Sequence, residues 1–227
     1  MRGTTGRHRQ ATHSASRGGF AWLARSACTT LGMRKLPMAR LTKIVSGGQK
    51  GVDQTALRAA IDCGLECGGW CPPDCQDEDG PIPAEYALQP TADETSLLAP
   101  KVSRSQRTEW NVFCSDATVI FHVPKPGEDD PGTLWTAKVA RRFKRPCLLC
   151  DPRAPSAVRE IIRWLAAIEK QHERPVRWLN VAGPSKRQLS AEVGNSECDR
   201  FLEATRTVII EVVRELGHLD AGDQHPN

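Results

Sequence analysis

From Leu41 onward, short apolar runs alternate with stretches whose apolar positions recur at helical spacing. Leu41–Val45 reads as a strand that ends in Ser46-Gly47-Gly48. Val52, Ala56, Leu57, Ala60 and Ile61 then share one face of a helix, with Gly64 as its stop. A second strand is expected near Leu65–Trp70, followed by a Pro/Asp/Gly-rich loop from Pro72 to about Pro100. Residues 103–114 read as a helix, Ala117–Val123 as a buried strand, and Pro124–Pro131 as a loop. A helix over Leu134–Phe143 and a strand over Pro146–Cys150 come next. Val158, Ile161, Ile162 and Leu165 mark an amphipathic helix, and Trp178–Ala182 a fifth strand stopped by Gly183-Pro184. Phe201, Leu202, Thr205, Val208, Ile209, Val212 and Leu216 mark a closing helix.

Strand and helix alternate throughout, and the strands are near-continuous apolar runs. That combination predicts an α/β fold: a Rossmann-like three-layer sandwich, with a mainly parallel sheet and helices on both faces. In such a fold ligands bind outside the carboxyl ends of the strands.

Charge divides the chain. The 227 residues carry 31 Lys and Arg against 27 Asp and Glu, a net charge of +4, but residues 1–40 hold eight of the basic residues and no acidic one. The remainder is acidic, so overall basicity is no argument for nucleic-acid binding. With aromatic residues at 5%, base-stacking platforms are not expected either. Residues 1–40 read as a disordered basic leader, an organellar transit peptide within 1–35, or a segment ahead of a true start at Met33 or Met38. A ligand-binding domain is expected over 41–216 and a frayed polar tail over 217–227. A cytoplasmic location follows unless the leader is a transit peptide. No apolar run is long enough to span a membrane.

Chemistry concentrates at strand ends. Ser46-Gly47-Gly48-Gln49-Lys50-Gly51-Val52-Asp53 follows a strand and opens a helix. Glycines there allow close backbone approach, and a helix amino end favours an anion such as phosphate. The spacing is neither a Walker A loop nor the dinucleotide fingerprint. The plain alternative is a glycine-rich turn with Asp53 capping the helix. Gly132-Thr133 and Thr136 form a second strand-to-helix step, which is either an anion site or a capped helix. Arg107 and Asn111, four apart, share a helical face, with Ser115-Asp116 following. Asn180, beside Gly183-Pro184, suits an Asx turn. The nine cysteines include Cys63, Cys67, Cys71 and Cys75 at every fourth position, a spacing that partly suits a bound metal. Cys147 and Cys150 form a C-x-x-C pair that buried free thiols also explain. Of the six histidines, only His122 falls near a strand end beside the expected cleft.

These residues, together with Cys67-Gly68-Gly69-Trp70-Cys71-Pro72, Glu78-Asp79-Gly80-Pro81-Ile82-Pro83, Ala117-Thr118 and Leu179-Asn180-Val181-Ala182-Gly183-Pro184, resemble the bacterial "putative molybdenum carrier" family. That family is a circularly permuted branch of the SLOG superfamily of Rossmann-like nucleotide-ligand binders. The resemblance runs in order over residues 42–184. It implies roles for Gly47, Gly48, Gly51, Asp53, Gly132 and Thr133 in binding a phosphate-bearing ligand, and Gln49 and Thr136, beside them in the two turns, are expected to join that site. Arg107 then neutralises charge, while Asp53 and Asn111 orient a polar group. The ligand implied is a nucleotide or the pterin-type molybdenum cofactor, and homo-oligomers are implied too. Gly48→Val is expected to abolish binding by blocking backbone approach.

Enzymatic relatives that hydrolyse nucleoside monophosphates carry a Glu in Pro-Gly-Gly-x-Gly-Thr-x-x-Glu, where Thr136 stands here. A hydrolase therefore needs Asp53, Asp79 or Asp116 as a substitute acid. A metal module on Cys63–Cys75 is the third reading. The stretches 90–105 and 184–195 depart from the family's pattern as longer links.

Overall fold

The computed structural model describes residues 41–124 and 131–217. The basic leader, most of the Pro124–Pro131 loop and the tail beyond Gly217 lie outside the described residues.

Six strands form one sheet in the order β3-β2-β1-β6-β4-β5, all parallel. They are β1 (Lys43–Val45), β2 (Glu66–Cys71), β3 (Leu88–Pro90), β4 (Ala117–Phe121), β5 (Cys147–Cys150) and β6 (Trp178–Ala182). The helices are α1 (Val52–Asp62), α2 (Ser105–Phe113), α3 (Pro131–Arg142), α4 (Ala157–His172), α5 (Lys186–Val193) and α6 (Asn195–Glu215). Helices α1, α4 and α5 pack with α6, while α2 packs with α3. The apolar residues separate accordingly. A large core gathers Ile44, Val52, Phe121, Ile161, Leu165, Phe201 and Val212, and a smaller cluster gathers Val112, Val139 and Ala140. This is the three-layer Rossmann-like arrangement that the alternating pattern predicts.

The pattern works because each strand is flanked on both faces. All five residues of β4 are buried, as in parallel strands covered by helices. Helix α1 buries Val52, Ala56, Leu57, Ala59 and Ala60, whereas Ile61, expected on that face, is exposed. Its end is set by Gly64 at φ +69, with Gly64 N–H donating to Ile61 O and Leu65 N–H to Ala60 O. That is a Schellman close, which requires a residue tolerant of positive φ.

Two segments differ from expectation. The loop from Pro72 to Pro100 contains a 3-10 turn at Ala84–Tyr86 and the edge strand β3, whose three residues are too few to show a period. Its closing Pro90 is tolerated at a sheet edge, where no further strand needs its N–H. The polar run after Pro184 is helix α5. Ser185 Oγ accepts from Gln188 N–H, and Gln188 Oε1 accepts from Ser185 N–H. This capping box starts a helix that hydropathy alone does not reveal, because only Leu189 of its eight residues is buried.

The topology places the site. From β1 the chain winds outward to β2 and β3, and from β4 in the other direction to β5. The last strand, β6, returns to fill the seam between β1 and β4. The carboxyl ends of β1, β6 and β4 therefore lie side by side at the reversal of strand order, where a crevice forms.

Candidate functional site

A cavity of about 360 Å³ opens at this seam. Its walls come from the turn after β1 (Gly47, Gln49, Asp53), α2 and the residue before it (Arg104, Arg107, Asn111), the first turns of α3 (Gly132, Thr133, Trp135, Thr136), the end of β6 and the cap of α5 (Asn180, Gly183, Ser185, Gln188), and Glu78. The amino ends of α1, α2, α3 and α5 all meet it, so several partial positive charges point at one space.

Arg107 and Asp53 form a largely buried charge pair in it, Nη1 to Oδ2 at 2.8 Å, with side chains 15% and 5% exposed. Asp53 Oδ2 also accepts from Gln49 N–H at 3.2 Å. Gly47 is what admits the guanidinium: a Cβ on Gly47 would lie 1.3 Å from Arg107 Nη1 and 2.9 Å from Asp53 Oδ2. Arg104, at φ +59, donates to Gln49 Oε1. Gln49 thus has its carbonyl held and its Nε2 left over.

Among the described residues, several buried polar atoms of side chains around this cavity have no hydrogen-bond partner: Gln49 Nε2, Arg107 Nε, Trp135 Nε1 and Glu78 Oε1. Buried polar atoms in folded proteins are nearly always paired, so such a cluster needs a reason. Three are donors and one is an acceptor.

Gly47, Gln49, Asp53, Arg107, Asn111, Gly132, Thr133 and Thr136, predicted from sequence, are brought together on this lining. Within that set, Asn111 is a clip. Its Oδ1 accepts from Trp70 N–H at 2.8 Å and its Nδ2 donates to Trp70 O at 3.0 Å, tying α2 to β2. Thr136 Oγ1 donates back to Gly132 O at 2.8 Å.

Gly48 and Gly51 lie off the lining. Gly48, at φ +79, faces Leu88 and Ile82, so a Val there would clash with apolar side chains and not with a ligand. Gly51 sits against the backbone of Pro184–Lys186, 2.6 Å from an added Cβ to Lys186 N. Asn180 makes no Asx turn: it lies inside β6 and donates from Nδ2 to Thr118 Oγ1 at 3.3 Å. His122 is likewise off the lining, its backbone N–H bonded to Cys150 O.

Asp116 is at the other end of the sheet, before β4. Its Oδ2 accepts from the backbone N–H groups of Arg177 and Trp178, both at 3.0 Å. Asp79 is paired with Lys50 at 2.5 Å on the outside of the turn.

The four spaced cysteines do not converge. Cys63 follows α1, Cys67 is in β2 with Sγ near the Glu85 and Tyr86 carbonyls, and Cys71 ends β2, with its Sγ 3.8 Å from that of Cys75. Four residues of strand separate Cys67 from Cys71 by roughly 13 Å, which is why a regular spacing yields no cluster. Among the described residues, no three His, Cys, Asp or Glu side chains are placed to hold a metal. Burial pushes the Cys71 thiol up to about 12, with Cys75 beside it adding to the shift.

The sequence reading missed Glu78, Arg104, Trp135, Ser185 and Gln188 as wall residues. Only the Ser185/Gln188 capping spacing left a local signal.

The model of the circularly permutated YpsA SLOG family matches residues 44–205. The crystal structure of a putative molybdenum carrier protein from Syntrophus aciditrophicus is similar, with a TM-score of 0.58 and 30% identity, covering 76% of this chain and 94% of that one. No curated protein matches the chain.

Proposed function

Because this chain belongs to the circularly permuted YpsA SLOG family, we propose that it binds a phosphorylated nucleotide- or pterin-type small molecule in the cavity at the β1–β6–β4 seam. One observation carries this reading: the donors Gln49 Nε2, Arg107 Nε and Trp135 Nε1, without a partner among the described residues, are buried around one cavity. Donors left unpaired in a protein interior are costly, and an acceptor-rich ligand group relieves that cost. Phosphate is such a group, and the helix amino ends around it favour its charge. The relative from Syntrophus aciditrophicus carries the name "putative molybdenum carrier protein". On that analogy the cargo is a phosphorylated pterin that holds molybdenum, with Gln49 and Arg107 on its phosphate.

A nucleotide hydrolase has less support. Thr136 holds the place of the relatives' acid and spends its hydroxyl within α3. Asp53 is committed to Arg107, and Asp116 lies at the far end of the sheet.

The test is calorimetric titration of the full chain with nucleoside monophosphates, a phosphorylated pterin and inorganic pyrophosphate. At least one organic phosphate binds, pyrophosphate competes with it, and Gly47→Ala loses both by displacing Arg107. If no phosphate compound binds or competes, the reading fails.

A further inference from the structure

Glu78 sets an acceptor among the donors of this cavity. Its side chain is 13% exposed and its Oε2 lies 3.4 Å from Arg187 Nε. Its backbone carbonyl accepts from Arg187 Nη2 at 3.1 Å. Its Oε1 is buried without a hydrogen-bond partner among the described residues. The residues on either side are tied to the glycine turn and to α1. Asp77 accepts from Gln54 Nε2 at 2.7 Å, and Asp79 pairs with Lys50 at 2.5 Å. Glu78 is thus held in place from both sides.

We infer that Glu78 is the residue by which this site selects its ligand. Its remaining oxygen accepts a hydrogen bond from a hydroxyl on the ligand's organic body. The site then prefers a phosphate ester of a hydroxylated molecule, and a bare oxoanion that offers Glu78 no hydroxyl binds more weakly. This rests on the reading that the cavity binds a phosphorylated small molecule, and it adds what the rest of that molecule must carry.

Complementarity between donors and acceptors decides which ligand fits. An oxoanion such as molybdate presents only acceptor oxygens and negative charge. It suits Gln49, Arg107 and Trp135 and is repelled by a fixed carboxylate. A phosphate ester with a free hydroxyl satisfies the donors with its phosphate and Glu78 with its O–H. The cavity volume of about 360 Å³ falls in the range of small-molecule pockets, roughly 300–1,000 Å³, and so has room for such a body.

Opposite-signed responses test it. The full chain and its Glu78→Gln variant are titrated at pH 8 with AMP, 2′,3′-dideoxy-AMP and molybdate, after circular dichroism confirms that both are folded. In the native chain AMP binds about tenfold more tightly than its dideoxy analogue, the size of one hydrogen bond to a charged group. In Glu78→Gln that preference collapses, because AMP weakens while the analogue does not. Molybdate, measured directly or by displacement, binds the variant more tightly than the native chain. Arg187→Ala, which releases the carboxylate without removing it, reduces the AMP preference only in part. Parallel weakening of all three compounds in Glu78→Gln, or an unchanged AMP preference, overturns the role of Glu78 while leaving the phosphate site intact. Failure of all three compounds to bind the native chain overturns the phosphate site itself, and the inference with it.

Discussion

At the scale of single residues, the Arg107–Asp53 pair decides whether the cavity keeps its shape. Both side chains are mostly buried, and removing one partner of a buried pair leaves the other charge desolvated. Asp53→Ala is therefore expected to cost about 3 kcal/mol of stability, measured by urea unfolding. A cost near zero would mean that Arg107 finds water or another partner. Much of this neighbourhood was legible in the sequence. Gly47, Gln49 and Asp53 are marked by the strand-turn-helix punctuation, and Arg107 by sharing a helical face with Asn111. Their division of labour was not. That Asp53 serves Arg107 and Asn111 serves Trp70 depends on contacts across more than 40 positions of chain, which no local spacing encodes.

At the scale of elements, the β1–α1 turn and the β6–α5 turn are locked together. Gly51 pairs with Ser185 as an isolated antiparallel bridge, and Lys186 N–H donates to Lys50 O at 2.7 Å. Gly51 has φ +129 and an added Cβ would meet backbone atoms, which cannot yield as side chains do. Gly51→Ala is expected to destabilise the fold by about 2 kcal/mol or more and to weaken ligand binding through the displaced turns, without touching the ligand. Thermal unfolding and titration of the same sample check both effects. Normal stability with lost binding would instead give Gly51 a direct ligand role, the role the glycine pattern alone suggests. The elements themselves were largely legible, because long apolar periods identify α4 and α6 and apolar runs identify β1, β4 and β6. Two escaped. Strand β3 is three residues at an edge, and α5 is started by its cap and not by its hydropathy.

At the scale of the whole molecule, two features set behaviour. One is the position of β6 between β1 and β4, which brings the first and last βα turns of the sheet onto one cavity. Alternation predicts the layers but not the strand order, since order is fixed by which connections pack together. The other is a set of buried and half-buried thiols. Desolvation pushes Cys147 up to about 11, while burial, aided by nearby acidic groups, pushes Cys150 up to about 12; Cys71 is likewise raised to about 12. In the unfolded chain thiols lose their protons near pH 8.5, so above that pH the unfolded state binds fewer protons than the folded one. Stability is thus full below about pH 8.5 and declines as pH rises toward the folded-state values. Urea midpoints taken under reducing conditions at pH 8 and pH 10 should fall with pH. Replacing Cys147 and Cys150 by Ala should shrink the fall, and an undiminished fall would place its cause elsewhere.

The central claim is that the seam cavity holds a phosphorylated small molecule. The most direct measurement compares the native mass of the purified full chain with its denatured mass, with and without added candidate phosphates. The account predicts a non-covalent increment equal to one organic phosphate per chain, present in the native protein and missing in Gly47→Ala. Native and denatured masses that agree, and stay equal at millimolar phosphate ligand, would contradict it.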